Sequence, residues 1–325
     1  MVLTRADVAG LLTLDHCMEA VEQAFRAHGL GRARPPGALG HPTVDGGFHV
    51  KMASLDLDRP YFAVKTNGNF FRNGERFGLP RIQGVIVLCD AENGTALAVM
   101  DSMEITIQRT GAATGVAARY LARRDASVAT IVGCGLQGRV QLQALSRARA
   151  LSRVMVCDTD PGLAASMARE LSPALGVEIQ PVTDLPAATR QSDLVVTCTP
   201  SRRAILGRSD VKPGTFVAAV GADSEDKQEI AADLLASSAV VVDILDQCAT
   251  FGDLRHAIAA GAMRREDVRA ELGEVVAGTK QGRVSDQETI VFDSTGTALQ
   301  DVAAAAMVYQ RAVQSGAGHR VHLGS

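Results

Sequence analysis

The chain has 325 residues, 46% of them hydrophobic and 21% charged, which suits a soluble globular protein with enough length for two buried cores. Its formal net charge is −3, with both signs interspersed and neither a basic run nor an acidic tail, so nucleic acid is not an expected partner. No apolar run approaches the length of a bilayer span, which also argues against a membrane role.

The first segment reads as one helix from about Arg5 to His28, because apolar residues recur at intervals of three and four. It carries acids and lacks the apolar core of a secretory signal, so the cytoplasm is the expected location. A loop rich in Gly, Pro and Arg (GLGRARPPGALGHP) follows. Four strand-like runs come next, FHVKMASL, YFAVKTNG, GVIVLCDA and TALAVMDS, with turn signals at Asn67-Gly68, Asn73-Gly74 and Asn93-Gly94. They predict a hairpin-rich, mostly antiparallel sheet. Residues 104 to 122, EITIQRTGAATGVAARYLA, read as a helix of small residues leading into a second unit.

From Ser127 the rhythm changes. The runs VATIVG, RVMVCD, DLVVTCT, TFVAAVG and AVVVD alternate with Ala-rich helical stretches. Strands separated by helices require right-handed crossovers and therefore a parallel sheet, and near-continuous apolar strands fit a sheet covered on both faces. ETIVFDSTG closes this unit, and the helix ALQDVAAAAMVYQRAV is expected to return to the first. The resulting class is α/β, with a doubly wound parallel sheet at 119–296 inserted in an α+β domain of 1–118 plus 297–325.

Six cysteines are scattered without a C-x-x-C pair and read as reduced, mostly buried small hydrophobes. Seven histidines show no metal-ligand spacing, so no metal is expected.

The informative local motif is VATIVGCGLQGRVQLQAL, where Gly133, Gly135 and Gly138 form G-x-G-x-x-G between a β-branched strand and a helix. Such a turn lets Gly133 bend sharply, Gly135 admit a pyrophosphate to the backbone, and Gly138 press the helix on the strand. The free N–H groups of the helix start then face the phosphates. Asp158 ends the next strand about twenty residues later, where a carboxylate accepts from the adenosine ribose hydroxyls and repels a 2′-phosphate. NAD is therefore preferred over NADP.

With these flanks in view, the chain resembles the ornithine cyclodeaminase/mu-crystallin family, which includes archaeal-type alanine dehydrogenases and imine reductases. The likeness covers nearly the whole chain. It rests on VKTNGNF around Lys65, GLPRIQG, LAVMDSMEITIQRTGAATGVAARYLA around Arg109, the glycine turn, AAVGADSEDKQEI around Asp223, and TIVFDSTGTALQD. It implies a homodimer in which the chain termini build a substrate-binding and dimerisation domain around the Rossmann domain.

Asp223 follows a Rossmann strand, and the carboxyl ends of parallel strands open on the cofactor crevice. A hydride leaving an α-carbon requires the amine to lose a proton, so a base is needed, and the resemblance assigns that role to Asp223. Lys65 lies mid-strand, where a lysine normally reaches outward to water. The resemblance makes it a catalytic or carboxylate-binding group. It assigns Arg109, set among small helical residues, to the cofactor. It also implies cofactor contacts at Leu136, Gln137, Thr199, Val220, Gly221, Lys227 and Ser294, and a substrate contact at Thr295.

Ornithine-acting members place an arginine in the early loop and an acid on the next strand to hold a distal amine. Arg34, with Arg32 competing, fits the first role, but the strand here carries His49 and Lys51 and no acid. Lys51 is either an edge-strand lysine or a group that favours a neutral or carboxylate side chain on the substrate. Arg81 stands in GLPRIQG, where members often carry a small polar residue. Three functions share these residues. The chain is expected to be an NAD(H)-dependent oxidoreductase interconverting an L-amino acid and its imino acid. The alternatives are a cyclodeaminase-type lyase releasing ammonia and a cofactor binder without catalysis.

Overall fold

The computed structural model describes residues 1–322. It divides into two compact units, Met1–Arg109 with the described residues from Thr297 onward, and Thr110–Gly296. The first boundary therefore falls within a helix, Met103–Leu121.

The first unit opens with two helices rather than one. Thr4 caps Arg5–Leu11 through a capping box with Asp7, and Thr13 accepts from the His16 N–H to start Leu14–Gly29. The apolar spacing runs across the break and conceals it, whereas the Thr13 hydroxyl supplies the acceptor that a new helix start needs.

Six strands follow: β1 (Val2–Leu3), β2 (Gly37–Thr43), β3 (Gly46–Asp56), β4 (Pro60–Asn69), β5 (Ile82–Asp90) and β6 (Ala96–Asp101). Their order is β1-β6-β5-β4-β3-β2, with β1 parallel to β6 and every other pair antiparallel. Three local expectations are corrected. The Gly/Pro-rich loop contributes β2, so β3 is an inner strand and Lys51 is not on an edge. Asn67-Gly68 lies inside β4, where a Cβ on Gly68 would crowd the Phe48 and Phe70 rings at 3.2 and 3.1 Å. Asn73-Gly74 opens the short helix Asn73–Phe77, while Gly94 makes a true turn with φ +79°. The helix Ala298–Ser315 lies against β3, β4 and the helix Leu14–Gly29, and its alanines 303–306 are buried, so the backbones approach closely. The opposite sheet face keeps Phe48, Met52 and Val85 exposed.

The second unit contains β7 (Val128–Val132), β8 (Arg153–Cys157), β9 (Glu178–Pro181), β10 (Leu194–Thr197), β11 (Arg202–Leu206), β12 (Phe216–Ala219), β13 (Gln228–Ile230), β14 (Ala239–Val242), β15 (Ala270–Glu271) and β16 (Ile290–Asp293). Eight of them form one wholly parallel sheet in the order β15-β14-β16-β12-β10-β7-β8-β9. Strands β11 and β13 pair separately. Apart from the half-buried Val128 at the start of β7, the central strands β7, β10, β12 and β16 are buried, as a sheet with helices on both faces requires. Strand β7 sits between β8 and β10, which is where the winding direction reverses. Among the described residues no helix is long and apolar enough to cross a membrane.

Candidate functional site

At the carboxyl end of β7 the chain turns through Gly133, whose φ is +98° and whose Cβ, if present, would stand 2.8 Å from the Cys198 carbonyl oxygen. Gly135 caps the helix Leu136–Ala148 and has open space where its side chain would be, so a ligand can reach the backbone there. A Cβ on Gly138 would lie 2.0 Å from the Gly133 carbonyl oxygen, so only glycine lets this helix pack on the turn. Asp158 follows β8, and its Oδ2 accepts from the Cys134 N–H at 2.6 Å while Oδ1 accepts from the Asp160 N–H at 2.9 Å. Leu136 is exposed at the helix start, and the Gln137 Oε1 is buried there without a partner. An open glycine, aligned helix N–H groups and an adjacent carboxylate suit the pyrophosphate and adenosine ribose of a dinucleotide.

The loops after β10, β12 and β16 hold the other sequence-expected contacts, and buried acids fasten them. Glu229, on β13, accepts from the Thr199 N–H at 2.6 Å, the Thr199 hydroxyl at 2.7 Å, the Thr197 hydroxyl at 2.7 Å and the Gly221 N–H at 2.8 Å. Burial pushes the Glu229 carboxyl above its usual range, against the pull of these donors. Val220 lies one residue before that loop glycine, and its N–H donates to the Thr197 carbonyl. Asp243, which follows β14, accepts from the Ser294 hydroxyl at 3.0 Å, the Thr295 hydroxyl at 3.4 Å and the Gly296 N–H at 2.7 Å. Asp223 lies beyond Gly221, is half exposed, and pairs with the Lys227 ammonium at 2.6 Å.

The first unit gathers a different cluster. Lys65 projects from β4 and is only 3% exposed, so it does not reach outward to water. Its ammonium lies 2.7 Å from both carboxylate oxygens of Asp301, which is 2% exposed in the first turn of Ala298–Ser315. Arg109, 7% exposed, reaches the same carboxylate with Nε at 3.3 Å and donates through a terminal nitrogen to the Gln300 Oε1 at 3.0 Å. Lys51 stands directly opposite Lys65 on β3. Burial lowers the Lys65 pKa to about 7, opposed by Asp301 and assisted by the nearby positive charges of Arg109 and Lys51. The same cations hold Asp301 below the usual carboxylate range against its own burial.

Two cations sharing one carboxylate can receive the carboxylate of a small zwitterion as a second anion. Sequence reading missed Asp301, Gln300, Glu229 and Asp243. The available signal for Asp301 was an acid set within the buried, Ala-rich run ALQDVAAAAM. Arg34 is tied by its backbone N–H to the Ser54 carbonyl, and Arg81 stacks on the Phe71 ring at 3.9 Å and donates to Asn69 at 3.2 Å. Of the cysteines, Cys17, Cys134 and Cys248 are buried and the other three half-buried, all six are free, and burial raises each thiol's pKa.

A reversing parallel sheet with a G-x-G-x-x-G turn at its switch point places the second unit in the Rossmann class. More narrowly, the chain belongs to the ornithine cyclodeaminase/mu-crystallin family, whose model matches residues 1–316. It is 37% identical over 322 residues to an alanine dehydrogenase of Archaeoglobus fulgidus, covering 99% of this chain and 98% of that one. Among solved structures, an archaeal alanine dehydrogenase dimer with bound NAD superposes with a TM-score of 0.94 at 37% identity, over 100% of this chain and 99% of the other. A Thermococcus litoralis Δ1-pyrroline-2-carboxylate reductase, in complex with NADH and L-proline, gives a TM-score of 0.92 at 32% identity, over 99% and 100%.

Proposed function

We propose that this protein is a cytoplasmic NAD(H)-dependent oxidoreductase that interconverts an L-amino acid and its imino acid, and that it works as a homodimer. The observation that carries the reading is the buried Lys65–Asp301–Arg109 cluster, present in a chain that also holds a sterically enforced dinucleotide turn. A protein that only stored a cofactor would have no need for two desolvated cations arranged around one carboxylate. The relatives with alanine dehydrogenase and pyrroline-carboxylate reductase activity, bound to NAD or NADH, support the same chemistry. The dimer of the archaeal relative and the apolar outer face of the first sheet support the assembly.

In this reading Gly133, Gly135 and Gly138 seat the pyrophosphate, with Leu136 and Gln137 beside it, and Asp158 selects NAD by excluding a 2′-phosphate. Bound there, the nicotinamide supplies or accepts the hydride exchanged at the substrate α-carbon. Lys65 holds the substrate carboxylate as a point charge and Arg109 presents its planar fork, toward substrate or cofactor phosphate. Asp223 takes a proton from the substrate amine, or returns it in the reductive direction. Thr199, Val220, Gly221, Lys227 and Ser294 complete the cofactor contacts, while Thr295, Lys51 and Arg34 face the substrate. Lys51, beside Lys65 on an inner strand, disfavours a substrate with a distal ammonium, which favours net redox chemistry over cyclodeamination.

The test follows A340 and ammonia together while purified protein meets alanine, aspartate, ornithine, lysine and cyclic imino acids. A nicotinamide signal is expected. Ammonia without net NADH change would replace this reading with a lyase.

A further inference from the structure

We propose that Glu229 is a positioning residue for the nicotinamide end of the cofactor site, joining the loop after β10 to the loop after β12 through one carboxylate. The inference rests on the dinucleotide-binding reading above.

Glu229 belongs to neither loop. Its Oε1 takes both donors of Thr199, and its Oε2 takes the Thr197 hydroxyl and the Gly221 N–H. Each oxygen therefore serves two donors, and the carboxylate has no remaining acceptor capacity. Its own strand is fixed in turn, because the Glu229 and Ile230 N–H groups both donate to the Asp253 Oδ1 at 2.8 Å. Asp253 and Leu254 donate their N–H groups to the Asp293 carboxylate at the end of β16. The packing leaves no slack: a Cβ on Gly221 would stand 2.4 Å from the Thr199 carbonyl oxygen and 2.6 Å from the Glu229 carboxyl carbon.

Asp158, just after β8, marks the adenosine side of the switch point. A dinucleotide laid across that point extends its other half over the ends of β10 and β12, which are the ends that Glu229 joins.

Glu229→Gln separates this role from general scaffolding. An amide accepts on one oxygen only, so it can serve the Thr199 loop or the Gly221 loop but not both. NADH and ADP-ribose are titrated against wild type, Glu229→Gln and Thr197→Val. ADP-ribose carries the adenosine and pyrophosphate without the nicotinamide. In Glu229→Gln, NADH binding should weaken about tenfold or more while ADP-ribose binding stays within about twofold, as expected when bonds to a charged acceptor are lost at one end. Thr197→Val removes one donor isosterically within β10 and should give a smaller shift in the same direction. It decides the matter if Glu229→Gln does not fold. Parallel weakening of both ligands, or an unchanged NADH to ADP-ribose ratio in folded variants, overturns the assignment. Wild type that binds neither ligand overturns the cofactor reading and this inference with it.

Discussion

Replacing Asp301 with Asn keeps the shape of the Lys65 cluster but removes the anion that supports its ammonium. At 2.7 Å the attraction is worth about 6 kcal/mol for an effective dielectric of about 20. Water entry and relaxation cancel most of it. Retaining only about 1.4 kcal/mol moves the lysine transition by one pH unit. Lys65 is already brought to about 7 by burial, with Arg109 and Lys51 adding repulsion, so losing Asp301 moves it lower still. A substrate carboxylate needs the charged form. Wild-type kcat/KM should therefore fall as pH rises through about 7, and in Asp301→Asn the fall should begin about one unit lower. The two enzymes should agree near pH 5.5 within a few-fold and differ about tenfold at pH 8. Imine reduction at A340 from pH 5.5 to 9 measures this, with NADH titration as a control for folding. Superimposed profiles, or a loss of equal size at both ends of the range, would refute the reasoning.

Other consequences can be checked singly. Gly138→Ala drives a methyl to 2.0 Å from the Gly133 carbonyl, so NADH affinity should drop at least tenfold together with Tm; an unaltered NADH titration would remove this turn from the site. Asp223→Asn should abolish turnover and leave NADH fluorescence titration nearly unchanged, and an active variant would disprove the proton-transfer role. Asp253 has a buried Oδ2 without a partner, and burial with the adjacent Glu229 charge lifts its carboxyl to about 7, above its unfolded value near 3.8. The folded protein thus binds a proton there that the unfolded chain lacks, and stability from this group falls as pH rises between those values. Asp253→Asn has no such loss, so its Tm advantage should grow between pH 4.5 and 7.5 by several degrees, at roughly 2–4 °C per kcal/mol. An advantage equal at both pH values would contradict the titration.

Local chemistry was legible in the sequence, and partners distant along the chain were not. The glycine turn could be read because its strand, three glycines, helix start and following Asp158 all lie within one βαβ unit. The break at Thr13 could not, since a threonine on the polar face of a continuous periodicity looks like any helix surface residue. Strand β2 contains Gly37, Gly40 and Pro42, which disfavour strands alone, and it forms through pairing with β3. Lys65 is singled out by resemblance, but its counter-ion lies 236 residues away and reaches it only through packing of Ala298–Ser315 on the sheet. Glu229 reads as one more acid in AAVGADSEDKQEI until the two loops fold around it.

The Lys65–Asp301–Arg109 arrangement, with positive groups in excess at a sheltered point, has a practical corollary for enzymology. Such a place discriminates poorly between an amino acid's carboxylate and an inorganic anion of similar size. On the proposed reading, chloride, formate or sulfate in the buffer should therefore raise the apparent KM for the amino acid more than that for the nucleotide, whose pyrophosphate site at the helix start also takes anions. Kinetic constants for this enzyme will depend on which salt sets the ionic strength as well as on how much is present.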